Sequence, residues 1–137
     1  MLQRNTLTGL TACLLALAAP ASAQQDGRSL LQQLDQDHDK TLSWDEVRSV
    51  VHNGFAALEA DHDNTLDSKE AAKAGINQKT LRAADPDHDD PLDEGEYTKL
   101  AKQRFDAADR DHDGTLSRAE LNSPAGRALT RMLRVQP

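Results

Sequence analysis

"DRDHDGTLSRAE", residues 109–120, sets carboxylates at its first, third and fifth positions, a glycine at the sixth and a glutamate at the twelfth. The same spacing occurs three times upstream: "DQDHDKTLSWDE" from Asp35, "EADHDNTLDSKE" from Glu59 and "DPDHDDPLDEGE" from Asp85, with starts 24, 26 and 24 residues apart. These are four copies of one twelve-residue unit, numbered here 1 to 4 in chain order. They hold 21 of the 23 acidic residues and leave only Asp26 and Asp106 outside. A solvated acidic surface would scatter its charges. Concentrating them costs folding free energy through like-charge repulsion unless a cation neutralises the clusters.

The spacing also selects the cation. Oxygens from positions 1, 3 and 5, a backbone carbonyl at 7, a side chain or water at 9 and a two-oxygen glutamate at 12 surround a hard cation with about seven ligands at ~2.3–2.6 Å, which suits calcium. Magnesium requires fewer ligands in a stricter octahedron, and zinc prefers nitrogen or sulfur. The chain therefore resembles the EF-hand calcium-binding family over most of its length after residue 23. The resemblance implies an all-α fold: four tandem EF-hand loops, short connecting helices, and tiny two-stranded β contacts between paired loops at Leu42, Leu66, Leu92 and Leu116, the leucines of position 8. It implies calcium ligands Asp35, Asp37, Asp39, Thr41, Ser43 and Glu46 in unit 1, and Glu59, Asp61, Asp63, Thr65, Asp67 and Glu70 in unit 2. In unit 3 they are Asp85, Asp87, Asp89, Pro91, Asp93 and Glu96, and in unit 4 Asp109, Asp111, Asp113, Thr115, Ser117 and Glu120.

The units are not equal. Position 6 must adopt positive φ to turn the chain around an ion, which Gly114 does freely, Asn64 and Asp90 tolerate, and Lys40 does at a cost of about 1 kcal/mol. In unit 2 the family's first aspartate is replaced by Glu59, whose extra methylene displaces the oxygen. In unit 3 Pro91 at position 7 keeps its carbonyl but removes one backbone donor and restricts Asp90. Units 4 and 1 are the expected tight sites. Each unit also has histidine at position 4: His38, His62, His88 and His112. One alternative is a zinc, copper or nickel site built from these imidazoles. No second ligand at helical spacing accompanies them, which favours solvent-facing side chains copied by tandem duplication.

The start of the chain reads differently. Arg4, the apolar run from Leu7 to Ala19 and the Ala21-Ser22-Ala23 site are the parts of a secretory signal peptide, so residues 1–23 are expected to be removed and the protein to be periplasmic or secreted from a bacterium. "LTAC", residues 10–13, resembles a lipoprotein box that would place a lipid anchor on Cys13, but the apolar run continues beyond it. Loss of Arg4 takes the net charge from −7 to −8 and leaves no cysteine. So acidic a chain repels nucleic acid and anionic membranes. The remaining layout is a short linker at 24–28, the four-unit domain at 29–121 and a basic C-terminal segment at 122–137.

Connections between units are short, and they set the topology. The middle connection breaks at Gly75, with Asn77 able to cap a new helix. The third has no breaker, and Tyr97, Leu100, Ala101, Phe105 and Ala108 form one apolar stripe, so a single helix should leave unit 3 and enter unit 4. If Asn53-Gly54 only bends the first connection, the chain is a hairpin pairing unit 2 with 3 and unit 1 with 4. Sequential pairing, 1 with 2 and 3 with 4, is the rival. In the tail, Ser123 and Pro124 start a helix with Leu129, Met132 and Leu133 on one side and Arg127, Arg131 and Arg134 around them. It serves either as the last core helix or as a target-like segment lying in the protein's own groove.

No nucleophile sits beside a base and no glycine loop cradles phosphate, so catalysis is not expected. The expected function is calcium binding, as a buffer or calcium-stabilised module. The alternative is a sensor or adaptor that engages an unidentified protein partner, against which stands the lack of methionine other than Met132 after residue 23.

Overall fold

The computed structural model describes residues 25–85 and 91–134, with side chains from Arg28 onward. The signal-peptide residues, Cys13, the unit 3 positions Asp87, His88, Asp89 and Asp90, and residues 135–137 lie outside the described residues. Among the described residues, seven helices and four very short strands follow in order: α1 (Gln25–Leu34), β1 (Thr41–Ser43), α2 (Trp44–Leu58), β2 (Thr65–Leu66), α3 (Ser68–Lys73), α4 (Gln78–Ala84), β3 (Leu92–Asp93), α5 (Glu94–Ala108), β4 (Thr115–Ser117), α6 (Arg118–Leu121) and α7 (Pro124–Leu133). Helix α1 begins at Gln25, inside the stretch read from sequence as a linker. No helix among the described residues is long and apolar enough to cross a membrane.

Two shared helices build the frame. Helix α2 runs unbroken through Asn53-Gly54 for 15 residues, leaving unit 1 and entering unit 2, and α5 does the same between units 3 and 4. Each is about 22 Å long at 1.5 Å per residue. Gly54 costs helix propensity, but it is buried between Val51 and Phe55 on the packed face of α2, so tertiary contact outweighs the local penalty. The middle connection folds back instead. Gly75 has φ +68°, and Asn77 accepts from the Thr80 N–H at 2.9 Å to cap α4. The result is the hairpin: β1 pairs antiparallel with β4, Leu42 opposite Leu116, and β2 pairs with β3, Leu66 opposite Leu92. Units 1 and 4 thus share one end of the molecule and units 2 and 3 the other.

The core is one cluster running between the two ends. All four position-8 leucines are completely buried, as are Val47, Leu58, Tyr97, Ala101, Ala108 and Leu129. The four aromatic residues of the chain are divided evenly: Trp44 meets Phe105 edge-on at 5.5 Å on the side of units 1 and 4, and Phe55 meets Tyr97 at 5.7 Å on the side of units 2 and 3. Helix α7 packs chiefly on α5 and also on α2 and α6, burying Leu129, Met132 and Leu133. It approaches α6 so closely that a Cβ at Gly126 would fall 2.0 Å from the Glu120 carbonyl oxygen. The tail is therefore the last helix of the core.

Candidate metal centres

Units 1, 2 and 4 are each a tight turn leading into a helix, and one hydrogen-bond pattern recurs in them. The position 6 N–H donates to the position 1 carboxylate: Lys40 to Asp35 Oδ2 at 3.0 Å, Asn64 to Glu59 Oε1 at 2.9 Å, Gly114 to Asp109 Oδ2 at 3.0 Å. The position 7 N–H and hydroxyl both donate to position 5, as in Thr115 to Asp113 Oδ1 at 2.8 Å in each case. The position 2 N–H donates to the position 12 glutamate: Gln36 to Glu46, Ala60 to Glu70 and Arg110 to Glu120, at 2.7, 2.7 and 2.8 Å. Polar loop backbone is thus satisfied by the same carboxylates that the sequence assigns to an ion.

Positive φ falls where expected and in one place more. Lys40, Asn64 and Gly114 at position 6 have φ of 72°, 66° and 85°. Position 4 is also left-handed, at 63°, 63° and 59° for His38, His62 and His112. Histidine tolerates this region better than most side chains, so the repeated histidine has a backbone task. All three are exposed. The His38 ring packs its Nδ1 3.1 Å from the Asp35 carbonyl, and His62 Nδ1 lies 3.8 Å from Glu59 Oε2. Neither contact gathers imidazoles together, and the acidic groupings among the described residues contain no histidine.

Positions 9 and 12 have a second role that the sequence reading missed. Ser43, Asp67, Asp93 and Ser117 are the N-caps of α2, α3, α5 and α6, and each forms a capping box with the glutamate three residues on. The visible signal was the S/D-x-x-E spacing ahead of each helix. In unit 4, burial pushes the Glu120 carboxyl up, but N–H donation from Ser117 and Arg110 outweighs it, so the pKa is lowered and the group is held anionic. Asp39 is likewise lowered by its bonds from the Thr41 hydroxyl and N–H, and Asp67 by the Glu70 N–H, with burial opposing and the Lys69 N–H adding to the effect.

The carboxylates converge. Ligand atoms of Asp35, Asp37 and Asp39, of Glu59, Asp61 and Asp63, and of Asp109, Asp111 and Glu120 lie within 4.8 Å of one another in their respective groups. Units 1 and 2 group positions 1, 3 and 5, whereas unit 4 groups 1, 3 and 12. In unit 3 the described residues place Asp85 in the interior, 1% exposed, and show the Glu96 N–H donating to Asp93 at 2.7 Å. Glu59, despite its extra methylene, accepts the same backbone bond as Asp35 and Asp109, so the displacement expected of it does not disrupt the turn.

One detail tests whether an ion fits. Asp35 Oδ1 and Asp109 Oδ1 are buried and have no hydrogen-bond partner, while the second oxygen of each carboxylate is satisfied by backbone. A buried carboxylate oxygen without a donor costs several kcal/mol unless a positive charge meets it. Two such oxygens, at the same position of paired units and beside further carboxylates, fit a hard, oxygen-seeking cation and do not suit a thiolate or imidazole metal. Thr41, Ser43, Glu46, Thr115, Asp113 and Ser117 complete the sets that the spacing assigns to these two units.

Residues 101–123, covering the C-terminal half of α5 and the whole of unit 4, match the family model described as EF hand. No curated protein matches the chain.

Proposed function

From that match, which supports an EF-hand calcium-binding family, we propose that the protein binds calcium through four EF-hand loops, units 1 to 4, as an exported buffer or calcium-stabilised module. The observation that carries the proposal is the pair of buried, donorless oxygens, Asp35 Oδ1 and Asp109 Oδ1, set among converging carboxylates. Calcium would supply the charge these oxygens lack. The chain's own residues do the rest: the backbone bonds to positions 1, 5 and 12 hold each carboxylate in place before an ion arrives, and the capping boxes tie position 12 to the start of the exit helix. Four ions would bring +8 against the −8 of the chain without its leader, so binding removes self-repulsion and stabilises the fold by linkage.

Export rests on the signal-peptide pattern of residues 1–23, and a periplasmic or secreted protein meets far more calcium than a cytosolic one. Affinities of about 10⁻⁴–10⁻³ M suit that setting. A buffer is favoured over a sensor because the apolar face of α7, with Met132, is already committed to the core. EF hands act by binding, and the hydroxyls of Ser43 and Ser117 are engaged in capping boxes with Glu46 and Glu120, so no catalysis is proposed.

The test is a calcium titration followed by calorimetry and by fluorescence of Trp44, the only tryptophan. Two or more equivalents with saturable heat, and a Trp44 change that magnesium does not reproduce, are expected. Absence of heat up to millimolar calcium would refute the proposal.

A further inference from the structure

Helix α7 concentrates positive charge on a protein that is otherwise strongly acidic. Arg127 and Arg131 are exposed and one turn apart, and with Arg134 they border an open groove of about 500 Å³ whose walls also include Pro124 and Thr130. The helix contains no acidic residue. Among the described residues no carboxylate forms an ion pair with Arg127 or Arg131.

The row is held in place by its surroundings. Arg127 Nε donates to the Asn122 carbonyl at 2.9 Å, which leaves its two terminal nitrogens free to turn outward. The stem of Arg131 crosses the turn between α3 and α4, where a Cβ at Gly75 would meet its Cδ at 3.3 Å. Beneath them Arg104 reaches from α5 to the Ala128 carbonyl at 2.9 Å. Burial lowers the pKa of Arg104, and the charge of Arg131 lowers it further. Arg104 and Arg131 therefore repel one another although the chain has 23 acids available to separate them. An incoming anion would relieve that repulsion.

We propose that the arginine row of α7 is a docking site for an acidic, extended polypeptide segment of a partner protein. Guanidinium forks match carboxylates in a bidentate manner. The four-residue step from Arg127 to Arg131 rises about 6 Å along the helix, close to the roughly 6.6 Å between same-face residues of an extended chain. A bilayer is a poorer occupant, because Leu129, Met132 and Leu133 are spent in the core and cannot insert. The continuous charge of a nucleic acid would run against the acidic units at either end.

The experiment titrates the protein into a fluorescein-labelled octapeptide of alternating glutamate and serine, in one calcium-containing buffer of low ionic strength, read by anisotropy. Saturable binding is expected, weakening with added salt and at least tenfold in Arg127→Gln/Arg131→Gln. The Lys79→Gln/Arg82→Gln variant on α4, with the same change in charge, is expected to bind like the parent. Circular dichroism establishes that each variant is folded, and the single exposed substitution Arg127→Gln gives an intermediate loss if the double variant is not. No binding by the parent, equal weakening by the α4 variant, or association with phosphatidylglycerol vesicles but not with the peptide would each overturn the proposal.

Discussion

The two ends of the molecule are built from the same repeat and differ in how far each has settled without an ion. At the end formed by units 1 and 4, aspartate opens both units, the strands pair over three residues, and two carboxylate oxygens are buried with no donor. At the end formed by units 2 and 3, pairing covers two residues. There unit 2 opens with Glu59, whose longer side chain satisfies one oxygen on Asn64 and carries the other out toward His62. One extra methylene thus separates a carboxylate that needs a cation from one that has partly escaped the need. The loop scaffold is common to units 1, 2 and 4, whereas the demand for charge differs between Asp35 or Asp109 and Glu59.

The largest effect should come from the leucines that join paired units. Leu116 and Leu92 are both fully buried. Truncation to alanine removes a methine and two methyl groups and leaves a cavity, costing about 3 kcal/mol at either end. Thermal unfolding of L116A and L92A with calcium chelated should therefore agree. In excess calcium they should separate, with L92A regaining less, because the donorless carboxylate oxygens among the described residues belong to units 1 and 4. Equal recovery would break the distinction between the ends.

The second test acts on the donorless oxygens themselves. Asp109→Asn keeps the acceptor for the Gly114 N–H and removes the charge. Ion-free protein should become more stable by about 1–2 kcal/mol, since an uncompensated buried charge is lost. Calcium binding at unit 4 should fall at least 100-fold, seen as one lost equivalent of heat. Glu59→Gln should change ion-free stability by less than about 0.5 kcal/mol, since its second oxygen is not among the buried, donorless atoms. Equal responses would show that the methylene makes no difference.

The aromatic pairs extend the contrast into the core. Tyr97, at the end of units 2 and 3, is completely buried, and its hydroxyl has no partner. Burial raises its pKa from 10.0 to about 12. A raised pKa here means that the neutral form is favoured on folding. The contribution is fully present below the unfolded value and is lost between about pH 10 and 12. Base unfolding followed by Trp44 fluorescence should fall in that window, and Tyr97→Phe should move it upward while stabilising the protein at neutral pH by about 1 kcal/mol. An unchanged base transition would place the titrating group elsewhere.

Much of this organisation was legible in the chain. The repeat, the break at Gly75 with its Asn77 cap, and the unbroken α5 all follow from local signals of charge spacing and helix punctuation. Unit pairing stayed open between two topologies because it turned on Asn53-Gly54, where local propensity favours a break and burial against the rest of the core decides otherwise. The left-handed position 4 was hidden because four identical histidines suggested side-chain chemistry before backbone conformation. The capping boxes were overlooked because Ser43, Ser117 and the position 12 glutamates had already been given to the ion. The arginine row gained its meaning only when Arg104 and the Gly75 turn came beneath it, contacts no linear pattern encodes.

The smallest expected effect separates the two units within one end. Lys40 and Gly114 hold the same position, make the same 3.0 Å bond to the opening aspartate, and have φ of 72° and 85°. Only glycine does so without strain. Lys40→Gly and Lys40→Ala both remove the charge, so their difference isolates the backbone. Left-handed geometry costs an alanine about 1–2 kcal/mol, and glycine gives back about 0.5–1 kcal/mol through its freer unfolded chain. K40G should thus exceed K40A in stability by about 0.5 kcal/mol. Because the loop hydrogen bonds of unit 1 are already formed without an ion, the gain should be equal with and without calcium, and the Trp44 titration midpoint should not differ between the two variants. A midpoint about twofold lower in K40G would mean that the turn forms only as calcium binds, and that the hydrogen bonds around Asp35 do not by themselves hold it.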